Sequence, residues 1–287
     1  DGLAAGKGVI ICRDINEFHS GIDDMIGNKK FGKASNKISV EECLTGEELS
    51  IFAICDGSDY KIIGSAQDHK RVFNEDKGPN TGGMGAYSPT PIFDDNLKIK
   101  VESRILKPIL NAMKELGNPF KGFLYIGIML VDAEPYVIEF NVRLGDPEAQ
   151  VLLPLIDSSL LDMMLYASDG KIKDYNLYLN KRHAVAVVLA AKGYPESYNT
   201  GMVIKGLNSQ KTEIIFHAGT KRLNDEIIVS GGRVLSLVSL ELGLDKAIDK
   251  VYKLVEKINY EDKYYRTDIG SKAVGYLKKE EWNVRYW

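Results

Sequence analysis

Apolar positions change their period along this chain, and each change marks an element. Val9-Ile10-Ile11-Cys12 is a short apolar run that predicts a strand. Behind Asp14, Ile15, Phe18, Ile22 and Ile26 recur at helical spacing, which predicts a capped helix over 15–27. A second strand is expected near 37–40, running into Glu41-Glu42-Cys43-Leu44. Residues 48–55, the turn Asp56-Gly57-Ser58-Asp59 and residues 60–65 predict a hairpin. Residues 67–91 are polar and aperiodic, so they are expected to be a long functional loop. Leu97, Val101, Ile105, Ile109, Met113 and Leu116 predict an amphipathic helix over 95–116, with Gly117 as its C-cap. Residues 122–131, the turn Asp132-Ala133-Glu134-Pro135 and residues 136–144 predict a second, strongly apolar hairpin. Asp146-Pro147 should open another helix that ends near 168–170. After a polar connector at 176–182, strands are expected at 183–191, 213–218, 227–230 and 233–239, then a closing helix over 245–258.

Composition narrows the class. The chain has 287 residues, 44% hydrophobic, enough for two ordinary domains. No window approaches 18 consecutive apolar residues, so no transmembrane helix is expected. Lysine and arginine number 37 against 40 acidic residues, a net charge of −3 that argues against nucleic-acid or membrane-surface partners. Three cysteines, Cys12, Cys43 and Cys55, sit in apolar runs without metal-ligand spacing, as expected for reduced thiols in the cytoplasm. Asp1-Gly2-Leu3 leads at once into a glycine-rich loop of the kind that normally follows a strand, so the chain reads as a fragment of a longer protein. The expected divisions are 1–45, 46–178 and 179–275, with a tail at 276–287.

Four segments carry candidate chemistry. In Gly2-Leu3-Ala4-Ala5-Gly6-Lys7-Gly8, small residues let backbone N–H groups approach phosphate oxygens, and Lys7 adds a cation. The same stretch can be an ordinary hairpin turn. Around Glu41, Glu42, Leu44 and Glu48, an extended linker can offer backbone groups to an adenine edge and a carboxylate to ribose hydroxyls; the alternative is a solvated acidic strand end. In Glu139-Phe140-Asn141-Val142-Arg143, strand alternation sends Glu139, Asn141 and Arg143 to one face. Carboxylate and amide oxygens are hard ligands suited to Mg²⁺, and Arg143 can neutralise a transferring phosphoryl group or a substrate carboxylate. A structural salt-bridge ladder is the alternative. Finally, Asp68-His69-Lys70-Arg71 and Gly82-Gly83-Met84 bring charge and backbone amides to the long loop, where they can cradle an anion or simply face solvent.

Taken in order, DGLAAGKG (1–8), SAQDHKR (65–71), PNTGGMGAYSP (79–89), EFNVRLGDPE (139–148) and YRTDIG (265–270) resemble the phosphoribosylamine–glycine ligases, the glycinamide ribonucleotide synthetase branch of the ATP-grasp family. The resemblance covers about residues 1–275. It implies an α/β (α+β) ATP-grasp fold with antiparallel sheets and flanking helices, plus a small β-rich C-terminal domain. It implies a partial lid at 1–45, a core at 46–178 and the C-terminal domain at 179–275. The implied activity is ATP-dependent ligation of glycine to 5-phosphoribosylamine through glycyl phosphate, giving glycinamide ribonucleotide, ADP and phosphate in de novo purine synthesis. Carried over by position, Gly6, Lys7, Gly8, Glu41, Glu42, Leu44 and Glu48 bind ATP. Glu139 and Asn141 hold Mg²⁺ or Mn²⁺, and Arg143 is catalytic. Asp68, His69, Lys70, Arg71, Gly82, Gly83, Met84 and Asp146 face the substrates. Many ATP-grasp relatives have an acidic metal ligand where this chain has Gly127, so a metal site lean in protein ligands is expected. The family's N-terminal domain and the lysines before the glycine loop are absent from this sequence, and without them the chain alone should be inactive.

Overall fold

The computed structural model describes residues 8–207 and 214–277, and the chain divides into two units, Asp1–Gly46 and Glu47–Trp287. In the first unit, helix α1 spans Ile15–Ile22 and is capped by Asp14, whose carboxylate accepts the N–H groups of Asn16 and Glu17. It continues into one π-helical turn, Asp23–Gly27, and a 3-10 turn follows at Gly32–Asn36. The strands expected at 9–12 and 37–44 are not formed. Neither stretch joins a ladder among the described residues, and apolar content alone does not hold a backbone in a β conformation. Ile10 and Cys12 instead lie against α1 at Gly21, where a Cβ would meet Ile10 Cγ2 at 3.5 Å and Cys12 Sγ at 3.6 Å.

The second unit opens with the expected hairpin, β1 (Glu47–Asp56) and β2 (Tyr60–Asp68). Residues 67–91 are not structureless, contrary to expectation. They hold the hairpin of β3 (Arg71–Phe73) and β4 (Lys77–Asn80), then β5 (Gly85–Ser88). Strands of three or four residues are too short for alternation to show. Helix α2 (Asp95–Val101) runs through a π-helical turn, Glu102–Leu106, into α3 (Lys107–Glu115), and Gly117 closes it with φ +76°. The second hairpin is β6 (Lys121–Val131) with β7 (Glu134–Asn141), turning at Asp132 and Ala133, both at positive φ.

The helix expected from 146 to about 170 is two helices, α4 (Ala149–Leu152) and α5 (Leu160–Ser168). Pro154 cannot donate a helical hydrogen bond, the chain tightens to a 3-10 turn at Leu153–Leu155, and Ser159 caps a fresh start by accepting the Asp162 N–H. Then come β8 (His183–Ala191), β9 (Ile214–His217), the hairpin of β10 (Thr220–Leu223) and β11 (Glu226–Val229), β12 (Arg233–Glu241), α6 (Leu244–Lys257) and β13 (Lys263–Tyr264).

One antiparallel sheet unites this unit, in the order β7-β6-β1-β2-β5-β8-β12-β9, with β13 beside β8. Because β8 pairs with β5 from Gly85↔Val187 to Ser88↔Ala184, the sheet runs unbroken past residue 179. Leu49, Ile51, Ala53, Leu124, Ile126 and Ile128 bury one face under α2 and α3, with Leu97, Val101, Leu106 and Leu110 as the matching stripe. On the other face Phe52, Ile54, Ile63 and Ala66 pack with Val151, Leu152, Met163 and Ala167 of α4 and α5. Beyond residue 183, α6 lays Leu244, Ala247, Val251, Leu254 and Val255 onto β8 and β12.

Candidate functional site

Register decides which side chains meet. Directly opposed residues in antiparallel strands share a face. Ser50 opposes Ala66 on one side and Gly127 on the other, and Gly127 opposes Glu139; Tyr125 opposes Asn141. Two residues along, Glu48 and Asp68 continue the same face by alternation. Four strands thus bring Glu48, Ser50, Asp68, Tyr125, Glu139 and Asn141 onto one side of the sheet, with Tyr125 in the core that α4 and α5 cover and Ser50 beside Glu148 at the start of α4.

Within this face the inner carboxylates are tied up. Lys70 forms an ion pair with Glu48. The Ser50 hydroxyl donates to the Tyr125 hydroxyl oxygen at 2.9 Å and lies 3.4 Å from Glu148 Oε1. Glu148 is buried. Burial, reinforced by the neighbouring Glu148 carboxylate, pushes the Asp68 carboxyl well above the usual range, and burial pushes Glu148 up as well. Burial disfavours the Lys70 ammonium, but the carboxylates of Asp68 and Glu48 outweigh it and keep Lys70 charged. On β7 the picture is different. Glu139 is exposed, Asn141 is half-buried, and neither makes a side-chain hydrogen bond or ion pair among the described residues. Gly127 lies beneath them: a Cβ there would come 3.2 Å from Glu139 Cγ and 3.2 Å from Tyr125 Cε1. Arg143 lies beyond the end of β7, so strand alternation does not carry it; its guanidinium is exposed and donates to its neighbour Leu144 O at 3.0 Å.

The long-loop residues divide in two. Asp68 and Lys70 join the polar face, whereas the side chain of His69 turns the other way. His69 is buried, the Gly270 N–H reaches its Nε2 at 3.5 Å, and its Nδ1 has no partner among the described residues. Burial, then the nearby Arg266 charge, lowers its pKa to about 4, so the ring is neutral. Met84 is fully buried against Val72 and Ala190. The Arg71 guanidinium donates to Gly78 O at 2.8 Å within the β3–β4 hairpin. Both oxygens of Asp146 already accept hydrogen bonds, Oδ1 from Gln150 Nε2 and Oδ2 from Arg233 Nη2, each at 2.8 Å.

In the first unit, Glu41, Glu42 and Leu44 lie on chain without regular structure, and Glu41 accepts the Ser39 hydroxyl at 2.9 Å. Gly8 is described; Gly6 and Lys7 lie outside the described residues. Among the described residues there is no group of three or more His, Cys, Asp or Glu side chains able to hold a metal ion, and no helix long and apolar enough to cross a membrane.

Several residues beside these were not singled out by sequence. Ser50 and Tyr125 read as ordinary strand residues. Arg233 approaches Gly82 and Gly83 from β12, and the Tyr194 hydroxyl accepts the Gly82 N–H at 3.0 Å. Arg266, only 1% exposed, pairs with Asp76 (2.8 Å) and Asp268 (2.7 Å) and donates to Arg71 O at 3.0 Å, so it anchors the β3–β4 hairpin. Its segment, Tyr265 to Gly270, was a visible motif, but nothing in it named a role.

Comparison with known proteins identifies the family and the fold. The family model for the phosphoribosylglycinamide synthetase ATP-grasp (A) domain matches residues 1–149, and that for the C domain of the same synthetase matches residues 184–272. The phosphoribosylamine–glycine ligase of Chlorobaculum tepidum is 41% identical over 276 residues, covering 95% of this chain and 65% of that protein. That of Rhodopirellula baltica is 44% identical over 278 residues, covering 96% of this chain and 64% of that protein. The chain therefore spans slightly less than two thirds of the length of these relatives. The crystal structure of the phosphoribosylamine–glycine ligase from Thermotoga maritima superposes with a TM-score of 0.84 at 35% identity, over 94% of this chain and 67% of that one. A biotin carboxylase from Campylobacter jejuni superposes over 93% of this chain and 62% of its own with a TM-score of 0.65 at 13% identity, a likeness of fold alone. The chain has the ATP-grasp fold, with antiparallel sheets and flanking helices, and it belongs to the phosphoribosylglycinamide synthetase family.

Proposed function

We propose that this chain supplies the ATP-grasp and C-terminal parts of an enzyme that ligates glycine to 5-phosphoribosylamine at the expense of ATP. The observation that carries the proposal is the shared sheet face, where Glu139 and Asn141 keep their oxygens free of partners among the described residues, beside the cluster of Glu48, Lys70, Asp68 and Glu148. On this reading 1–45 belongs to the lid, 46–178 to the core and 179–275 to the C-terminal domain. ATP transfers its γ-phosphoryl group to the glycine carboxylate, and the amine of phosphoribosylamine displaces phosphate from the acyl phosphate. The resemblance assigns Gly6, Lys7 and Gly8 to the ATP phosphates, and Glu41, Glu42 and Leu44 to the adenine. Glu48 offers Oε2 to the ribose while Lys70 holds Oε1. Arg143, exposed and bonded among the described residues to a neighbouring carbonyl alone, can swing onto the phosphoryl group.

The donor set of Glu139 and Asn141 fits Mg²⁺ or Mn²⁺: two hard oxygens, adjacent on one face, neither engaged by another side chain among the described residues. A bound ion would neutralise polyphosphate charge there. Asp68, Lys70 and Arg71 supply charge toward the substrates. Gly82 and Gly83 supply backbone, while His69, Met84 and Asp146 hold that backbone in place. The test is phosphate release from ATP by the full-length protein, expected only when glycine and phosphoribosylamine are both present. Equal turnover with an unrelated amino acid and amine would overturn the substrate assignment.

A further inference from the structure

Arg233 stands at the start of β12, yet its guanidinium works on chain 151 and 87 residues earlier. Nη1 donates to the carbonyl oxygens of Gly82 (2.7 Å) and Asp146 (2.9 Å) and reaches that of Gly83 at 3.4 Å. Nη2 donates to Asp146 Oδ2 at 2.8 Å. Tyr194, also from the C-terminal side, accepts the Gly82 N–H, so that residue is gripped at both its amide and its carbonyl. The fit is close. A Cβ on Gly82 would come 2.8 Å from Arg233 Cζ, and one on Gly83, at φ +111°, would strike the ring of Pro147. Gly82 is required by what lies against it, and Gly83 by its positive φ as well as by the Pro147 ring.

Resting on the functional reading above, we propose that Arg233 is the positioning residue of the substrate site. It docks the Gly82–Gly83 loop onto Asp146-Pro147 and so fixes the direction of that loop's backbone toward the substrates, without touching them. Its partners explain why arginine is needed. Three carbonyls and one carboxylate lie around a single planar fork, which a lysine ammonium cannot span. The partners also separate this role from bulk stability. Gly82 and the Asp146 side chain are exposed, so water satisfies them when the guanidinium is removed.

The experiment uses the full-length enzyme with Arg233→Lys, Arg233→Met, Gly82→Ala and the double change Arg233→Ala/Gly82→Ala, compared with Arg233→Ala. Arg233→Met is expected to raise the KM of glycine or phosphoribosylamine at least tenfold while the KM of ATP moves less than twofold; Arg233→Lys should lie between. Gly82→Ala alone should show the same split. Added to Arg233→Ala it should cost nothing further, because the methyl then has room. A proportionate rise in all KM values, an unchanged profile, or simple additivity of Gly82→Ala and Arg233→Ala would overturn the proposal. If Arg233→Met does not fold, Arg233→Lys decides. If the unaltered enzyme performs no ligation, the functional reading falls and the docking is judged by amide exchange over residues 82–84. Tenfold faster exchange in Arg233→Lys supports it, and unchanged exchange overturns it.

Discussion

Glu139 and Asn141 share a sheet face with Glu48 and Asp68, yet the two groups of oxygens have opposite surroundings. Those on β7, the edge strand, have no protein partner among the described residues, whereas the inner set is bound up with Lys70, and Glu148 is buried beside Ser50. Oxygens that fold without partners contribute nothing to holding the fold, so any role they have depends on something that arrives. Oxygens held by an ammonium and by burial contribute to stability, and removing their partner is costly. The first group should therefore affect turnover with little change in stability, whereas the second should affect stability as well as binding.

The sharpest break in that contrast is Glu139→Gln and Asn141→Ala in the full-length enzyme. Turnover should fall by two to three decades, about 3–4 kcal/mol of transition-state stabilisation. The melting temperature should not move, since no partner among the described residues is lost. Near-parental turnover at saturating Mg²⁺ would remove both residues from the metal site. Next in size is Lys70→Met, expected to destabilise by about 2 kcal/mol in denaturant unfolding, because it leaves Glu48, Asp68 and Glu148 facing one another; the value is kept low because the pair is about one third exposed. A Lys70→Met protein as stable as the parent would erase the contrast.

Titration sharpens it further. Asp68 and Glu148 have raised pKa values in the folded state, so the folded protein holds their protons longer than the unfolded chain does. Their contribution is fully present below the ordinary carboxylate range and is lost as pH rises through the raised values. Asp76 has the opposite sign. Burial alone would raise it, but hydrogen bonds from Lys272 and Arg266 hold its carboxyl at about 2. Its contribution is present above the ordinary carboxylate range and is lost as pH falls from there toward 2. Asp68→Asn should flatten the loss of stability on the alkaline side, and Asp76→Asn should flatten it on the acid side. Each would change the slope by at most about 1.4 kcal/mol per pH unit. The same slope change from both substitutions would contradict the assignment.

How far the sequence revealed all this depends on range. Both long hairpins were legible, because alternation and turn residues such as Asp132-Ala133 are local signals. The strand expected at 9–12 was not formed, because apolar content does not supply a ladder partner. Glu139 and Asn141 were visible as an alternating polar pair on an apolar strand, while Arg143 was not on that strand at all. Ser50 and Tyr125 become polar neighbours only through the register of β1 and β6. Arg233 was hidden because its partners lie 87 to 151 residues away, and the pairing of Arg266 with Asp268 was within a visible motif while its hold on Arg71 and Asp76, 195 and 190 residues away, was not.

The smallest expected effect concerns Gly127, which lies beneath the free oxygens and next to the tied ones. A methyl group there would press at 3.2 Å on Glu139 Cγ and on the edge of the Tyr125 ring. The two neighbours differ in how they can respond. Glu139 is exposed on an edge strand and can turn aside, whereas Tyr125 is buried, packed edge-on to Phe52 and bonded to Ser50. The methyl should therefore displace Glu139 and leave the inner cluster intact. Gly127→Ala is expected to change stability by less than about 1 kcal/mol, within the range of mild overpacking. The Mg²⁺ concentration that gives half-maximal turnover should rise severalfold, with the maximal rate little changed. A stability loss as large as that of Lys70→Met, with the Mg²⁺ dependence unmoved, would mean that the methyl had pushed on Tyr125 instead, and that the two groups of oxygens are mechanically one.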